Sequence, residues 1–151
     1  MGKNIYILSC TSNKKEGRHP VKELYTGQLF QKGLAYAKRH GADIILVIGG
    51  ECKSNIYGLD DEIESYDGLI IGDLHIVHRI KLAKQRLKNI IAKGCNIEKG
   101  HFVFLTGQFY YEFILAGRPN ALSNAIVNYE TPFSEYHLKG IGEILHFLEN
   151  N

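Results

Sequence analysis

Cysteine is scarce in this chain of 151 residues, and Cys10, Cys52 and Cys95 form no CxxC pair and are odd in number. That pattern excludes a disulfide framework and a structural zinc site as organising devices, and it fits a reducing, cytoplasmic setting. Long hydrophobic runs are missing as well. The longest, Ile44 to Ile48, falls far short of the roughly 20 apolar residues that a membrane-spanning helix needs. The first residues lack a basic flank followed by a long apolar core, so neither a signal segment nor membrane attachment is expected. Charge of one sign is low too: 18 Lys and Arg against 16 Asp and Glu leave a formal net charge of +2. A field that weak does not hold nucleic acid by itself, so any such contact requires a local patch. Repeats and low-complexity tracts are absent, and so is the Gly-x-x-x-x-Gly-Lys-Ser/Thr spacing of a P-loop, which argues against ATP hydrolysis of that type.

What is present is an ordinary globular composition, 44% hydrophobic and 23% charged, long enough to bury a core without staples. A single α/β domain over residues 1–151 is expected. Asn4 to Leu8 reads as a first strand, followed by a helix from Thr26 to His40 with Thr26 as its cap and Gly41 as its stop. Asp43 to Ile48 is a continuous β-branched strand of the kind covered on both faces, ended by Gly49-Gly50. Residues 51–71 show no clean period and carry Glu51, Asp60, Asp61, Glu62 and Glu64. The clearest helix follows, with Asp73 as cap, Ile76, Ile80, Ala83, Leu87, Ile90 and Ile91 on one face, and Gly94 past its end. His101 to Leu105 is a third strand, Gln108 to Ala116 a short helix ended by Gly117, Asn124 to Asn128 a fourth strand, and Ile141 to Leu148 a closing helix. This alternation predicts a three-layer α/β/α sandwich around a mainly parallel sheet of about four strands.

In such a sheet, ligands bind beyond the carboxyl ends of the strands. The turns expected there are Ser9-Cys10-Thr11-Ser12-Asn13-Lys14-Lys15, Gly49-Gly50-Glu51, Thr106-Gly107 and Tyr129-Glu130. Small and hydroxyl residues admit a ligand close to backbone N–H groups, and Lys14 and Lys15 add positive charge, so a phosphate, carboxylate or polarised carbonyl suits the first turn. Turn geometry alone also favours Gly, Ser and Thr. Cys10 beside lysines has the setting of a nucleophilic thiol, but Glu16 stands where a phosphatase-type loop needs its arginine, with Arg18 beyond it. His75, His78 and Arg79 share a helix face without a third ligand by spacing, so no metal and no cofactor is expected. Lys81, Lys84 and Lys88 also share a face, the pattern of a plain exposed surface. Among carboxylates, Asp67 in Tyr66-Asp67-Gly68 is the candidate general acid or base, ahead of Glu51 and Glu143.

Ser9-Cys10-Thr11-Ser12-Asn13-Lys14, Glu23-Leu24-Tyr25-Thr26 with Leu29-Phe30, Ser54-Asn55-Ile56-Tyr57-Gly58-Leu59 and Glu64-Ser65-Tyr66-Asp67 occur in that order, before a strand ending at Gly107 and a closing Gly140-Ile141-Gly142. Together they resemble a bacterial and phage family of small domains of unknown function, over nearly the whole chain. The resemblance implicates Ser9, Cys10, Lys14, Tyr25, Tyr66 and Asp67, with Gly107 and Gly142 as backbone positions. The family's lysine in Ser-Ala-Lys-x-Gly-Leu stands here as Ile56, so its duty is absent or falls to Lys53. The opening Ser-Cys-x-x-x-Lys is also faintly similar to a domain of archaeal tRNA base-modifying enzymes whose fold resembles uracil-DNA glycosylases.

The function expected from these residues is an enzyme acting on a nucleotide, nucleoside or nucleic-acid base, with the N-glycosidic bond as the candidate reaction centre. Lys14 and Lys15 would hold phosphate, Tyr25 or Tyr66 would stack the base, and Asp67 would move a proton. Ser9, Thr11, Ser12, Gly49, Gly50, Glu51, Thr106 and Gly107 complete the expected binding set, while Cys10 and Lys14 join Asp67 as the candidate reactive groups. The alternative is a non-catalytic module that binds nucleotide or nucleic acid through the same turn, and a thiol-dependent enzyme using Cys10 is a third reading.

Overall fold

In the computed structural model, residues 2–11, 13–50, 55–66, 76–118 and 120–151 are described, without the side chains of 76–79. The apolar runs form the strands β1 (Asn4–Ser9), β3 (Ile44–Gly49) and β6 (His101–Leu105). They pair in parallel with β1 in the middle, Ile5 opposite Ile44 and Phe102. β7 (Asn128–Glu130) extends the sheet in parallel beside β6, and β4 (Asn55–Gly58) closes the other edge antiparallel to β3. The protein is therefore mixed α/β with a five-stranded, mostly parallel sheet in the order β4-β3-β1-β6-β7. A second, two-stranded sheet joins β2 (Arg18–Pro20) antiparallel to β5 (Glu62–Glu64).

Strand side chains alternate between the two faces, as a period of two requires. Ile5, Ile7, Leu46, Ile48, Phe102 and Phe104 enter one buried cluster with Ile90, Tyr111, Ile114 and Leu115. Tyr6, Leu8, Val47, Val103 and Leu105 enter the other with Phe30, Leu34, Ala37, Phe133 and Leu148. The first face is covered by α3 (Ile76–Ala92) and by a π-helix (Phe109–Ile114). The second is covered by α2 (Gln28–Arg39), α4 (Pro132–Glu135) and α5 (Ile141–Asn150), with α1 (Val21–Leu24) contributing Val21 and Leu24. Each such apolar side chain removed from water contributes about 1.5–3 kcal/mol. No helix among the described residues is long and apolar enough to cross a membrane.

Four local expectations are corrected. The sheet has five strands rather than four, because β4 lies in the aperiodic stretch and carries only Ile56 and Tyr57 as apolar residues. The strand expected over 124–128 starts at Asn128, since Leu122 and Ile126 are drawn into the first core cluster by a 3-10 turn (Leu122–Asn124). Thr26 does not cap α2: its amide donates to the Asn13 carbonyl at 2.9 Å and Gly27 occupies the cap position. The helix after Thr106-Gly107 is a π-helix, closed by Leu115 N–H donating to the Tyr110 carbonyl at 3.0 Å. Its wider turn lets the adjacent Tyr110 and Tyr111 both turn inward, to different neighbours. Asp73 lies outside the described residues.

Candidate functional site

Three backbone devices bring the candidate residues to one place. The Cys10 amide donates to the Ile48 carbonyl at 2.9 Å, extending the β1–β3 ladder past Ser9. The following loop is tied antiparallel to residues 24–26, with Lys15 N–H on Leu24 and Thr26 N–H on Asn13, each at 2.9 Å, and Lys14 bridged to Tyr25. The small β2–β5 sheet, continued by Ser65 N–H to Gly17 at 3.0 Å, returns the chain at Tyr66 to the same edge.

At that edge the Tyr25 and Tyr66 hydroxyls meet at 2.5 Å. The Lys14 ammonium sits 4.7 Å from the centroid of the Tyr66 ring and donates to the Thr11 carbonyl at 3.4 Å. Cys10 Sγ lies 4.0 Å from the Tyr110 hydroxyl. Glycine is required beneath this cluster. A Cβ at Gly49 would stand 2.5 Å from the Tyr25 oxygen and 3.4 Å from Cys10 Cβ, and Gly50 adopts φ +85.

Burial pushes the Tyr25, Tyr66 and Tyr110 phenols well above the ordinary tyrosine value, and the neighbouring Cys10 adds to each shift. All three are thus protonated at neutral pH and present hydroxyl groups rather than phenolates. The edge combines uncharged phenols, a half-buried thiol and one ammonium.

Ser9, Cys10, Thr11, Lys14, Tyr25, Gly49, Gly50 and Tyr66 are thus brought together. Thr106 is buried at the end of β6, its hydroxyl on the Gly107 carbonyl at 3.3 Å, and a Cβ at Gly107 would meet nothing within 4 Å. Lys15 is exposed where Lys14 is half-buried. Two expectations are corrected. Tyr25 cannot stack a base: the residue is fully buried, its ring 5.3 Å from Phe30 and its hydroxyl covered by Tyr66. Tyr129 and Glu130 lie within β7 rather than beyond it, with Glu130 paired to His101 at 2.5 Å. Glu143 is engaged by the Lys139 amide at 2.8 Å, at the start of α5. Ser12, Glu51, Lys53, Asp67 and His75 lie outside the described residues, as do the side chains of His78 and Arg79. Among the described residues no group of three or more His, Cys, Asp or Glu is placed to hold a metal ion.

Tyr110 and Tyr57 were not expected here. Tyr57 places its hydroxyl 2.7 Å from a Cβ built at Gly50 and accepts from Asn55 Nδ2 at 3.0 Å. The signal for Tyr110 was its position three residues after Gly107, where a turn at a strand's carboxyl end aims a side chain back over the sheet.

A model of a family of unknown function matches residues 5–150. No curated protein and no solved structure matches.

Proposed function

The chain belongs to DUF6884, a family of unknown function, and from its polar sheet edge we propose that it is an enzyme acting on a nucleotide, nucleoside or nucleic-acid base, at the N-glycosidic bond. One observation carries the reading: the Lys14 ammonium, the Tyr25–Tyr66 hydroxyl pair and the Cys10 thiol converge over Gly49-Gly50 at the carboxyl end of adjacent parallel strands. The similarity of the Ser9-Cys10 to Lys14 turn to the glycosylase-like domain of base-modifying enzymes supports the same substrate class. We read the sheet as the middle layer of an α/β/α sandwich, which leaves this edge as the open rim.

Cleaving an N-glycosidic bond leaves the electron pair on the departing base nitrogen and positive charge on the sugar carbon, where water then adds. The half-buried Tyr66 phenol, protonated at neutral pH, donates to the base as negative charge develops. Lys14 holds a phosphate or carboxylate attached to the substrate. Asp67, next in sequence to Tyr66, supports the cationic sugar or takes the proton of the attacking water.

The test is mass analysis of a panel of nucleosides, nucleotides and oligonucleotides after incubation, alongside thermal shifts. Released base is expected, with Asp67→Asn losing about a hundredfold or more in turnover while keeping its ligand-induced stabilisation. That stabilisation is about 2.7 kcal/mol at a hundred times Kd. Stabilisation with no product from any substrate would reassign the protein as a binding module, and absence of both would refute the reading.

A further inference from the structure

Charge is segregated on α3. The segment Ile76–Ala92 holds Arg79, Lys81, Lys84, Arg86 and Lys88 and not one Asp or Glu. Five of the 18 basic residues and none of the 16 acidic ones sit there, so the rest of the chain carries 13 basic against 16 acidic residues. The modest whole-chain charge therefore conceals a cationic helix on an otherwise acidic body.

The helix is amphipathic in a way that leaves the lysines outside. Ala83 and Ile90 are buried, Leu87 packs against the first core cluster, and the buried Arg86 guanidinium turns inward to donate to the Ile114 carbonyl at 3.0 Å. Lys81, Lys84 and Lys88 are exposed, and none has an ion-pair partner among the described residues. Spaced three and four apart, they form one row. Among the described residues no carboxylate pairs with that row: Glu112 accepts from Gln108 at 3.4 Å, and Asp61 pairs with Lys93 beyond the helix end.

The row also leads toward the candidate site. Tyr66, before α3, lies at the carboxyl edge of the sheet, whereas His101, after it, begins β6 at the amino edge. Lys93 accordingly reaches Asp61, near Gly58, which pairs with Leu46 in the first half of β3. α3 thus runs from the carboxyl edge to the amino edge, and Lys81 and Lys84 lie in its half nearer the former.

We propose that the Lys81–Lys84–Lys88 face is a phosphate-backbone contact for a nucleic-acid strand, so that the protein acts on polymeric nucleic acid rather than on free nucleotides. The proposal rests on the base-handling reading of the site only for what happens after docking. A row of ammonium groups at turn spacing without carboxylates matches an evenly charged strand and carries no base preference of its own.

Salt-dependent binding of labelled 20-nucleotide single-stranded DNA and RNA tests it. The variants are K81Q/K84Q/K88Q and a charge-matched control, K3Q/K38Q/K139Q. Expected are binding by the parent protein, a loss of about tenfold or more in the α3 variant, and a salt slope shallower by about 2 units for three lost contacts to a single strand. The control should bind as the parent does, and thermal stabilisation by free nucleotides should be untouched in both. Equal binding by the α3 variant, or equal loss in the control, overturns the assignment. So does an absence of oligonucleotide binding with α3-dependent binding to phosphatidylserine vesicles, which would make the face a membrane contact. No oligonucleotide binding alongside intact nucleotide stabilisation defeats this inference and spares the site. Loss confined to the α3 variant, with no nucleotide stabilising or reacting, does the reverse.

Discussion

The two ends of the parallel sheet solve opposite problems. At the amino end, exposed polar groups are closed in ordinary pairs: Asp43 takes the Asn4 amide at 2.8 Å, Asn96 Oδ1 takes the Glu98 and Lys99 amides at 2.9 Å, and Glu130 meets His101. At the carboxyl end, three phenols, a thiol and an ammonium from distant parts of the chain are gathered over two glycines. The first arrangement pairs exposed groups at the surface of the fold. The second brings hydroxyls together at the rim of the two core clusters, beside a thiol and an ammonium, the pattern of a site that serves a ligand.

The sharpest way to break this contrast is a methyl group at the amino end. A Cβ at Gly100 would stand 2.6 Å from the Asn96 carbonyl oxygen and 2.7 Å from Ile5 Cδ1, so backbone or core must shift. Gly100→Ala is expected to cost about 1–3 kcal/mol in urea unfolding while leaving the fold-normalised ligand response intact. A selective loss of ligand binding instead would mean that the two ends are not functionally separate.

A second test acts on the carboxyl end. Tyr66→Phe leaves the Tyr25 hydroxyl without its tyrosine partner in a buried setting, which costs about 1–2 kcal/mol. Tyr25→Phe/Tyr66→Phe should cost less than the sum of the two single changes, because removing both hydroxyls leaves neither stranded. Additive losses in the unfolding cycle would show that the pair is not coupled.

The same contrast explains what could be read from residues alone. β1, β3 and β6 were legible because each is a continuous apolar run buried on both faces, and the long basic helix because its period is strong. β4 and the β2–β5 sheet were not, since short, partly exposed strands lack a burial pattern and owe their pairing to tertiary contacts. The turn from Ser9 to Lys14 was recognisable by composition. The half-buried Lys14 and exposed Lys15 depend on tertiary contacts, and the burial of the Tyr25 ring depends on Phe30 beneath it. Tyr110 arrives through a π-turn, for which the residues 109–114 carry no period.

The smallest expected effect separates the two ends by pH. Burial raises the Cys95 thiol, in the first core cluster, above its ordinary value, with Lys3 opposing. It raises the Tyr25, Tyr66 and Tyr110 phenols likewise. In each case the unfolded chain releases the proton first, so the native state binds more protons above the unfolded value and stability falls as pH rises. Below about 8.5 for the thiol and about 10 for the phenols, each contribution is fully present. Urea midpoints measured from pH 7 to 11 should therefore decline in two overlapping stages. Cys95→Ala should flatten the first, and Tyr25→Phe/Tyr66→Phe should shrink the second, leaving the portion owed to Tyr110 and to Tyr6 and Tyr36, also raised by burial. A double phenylalanine variant with the parent's full decline above pH 10 would show that these phenols already ionise freely in the folded protein.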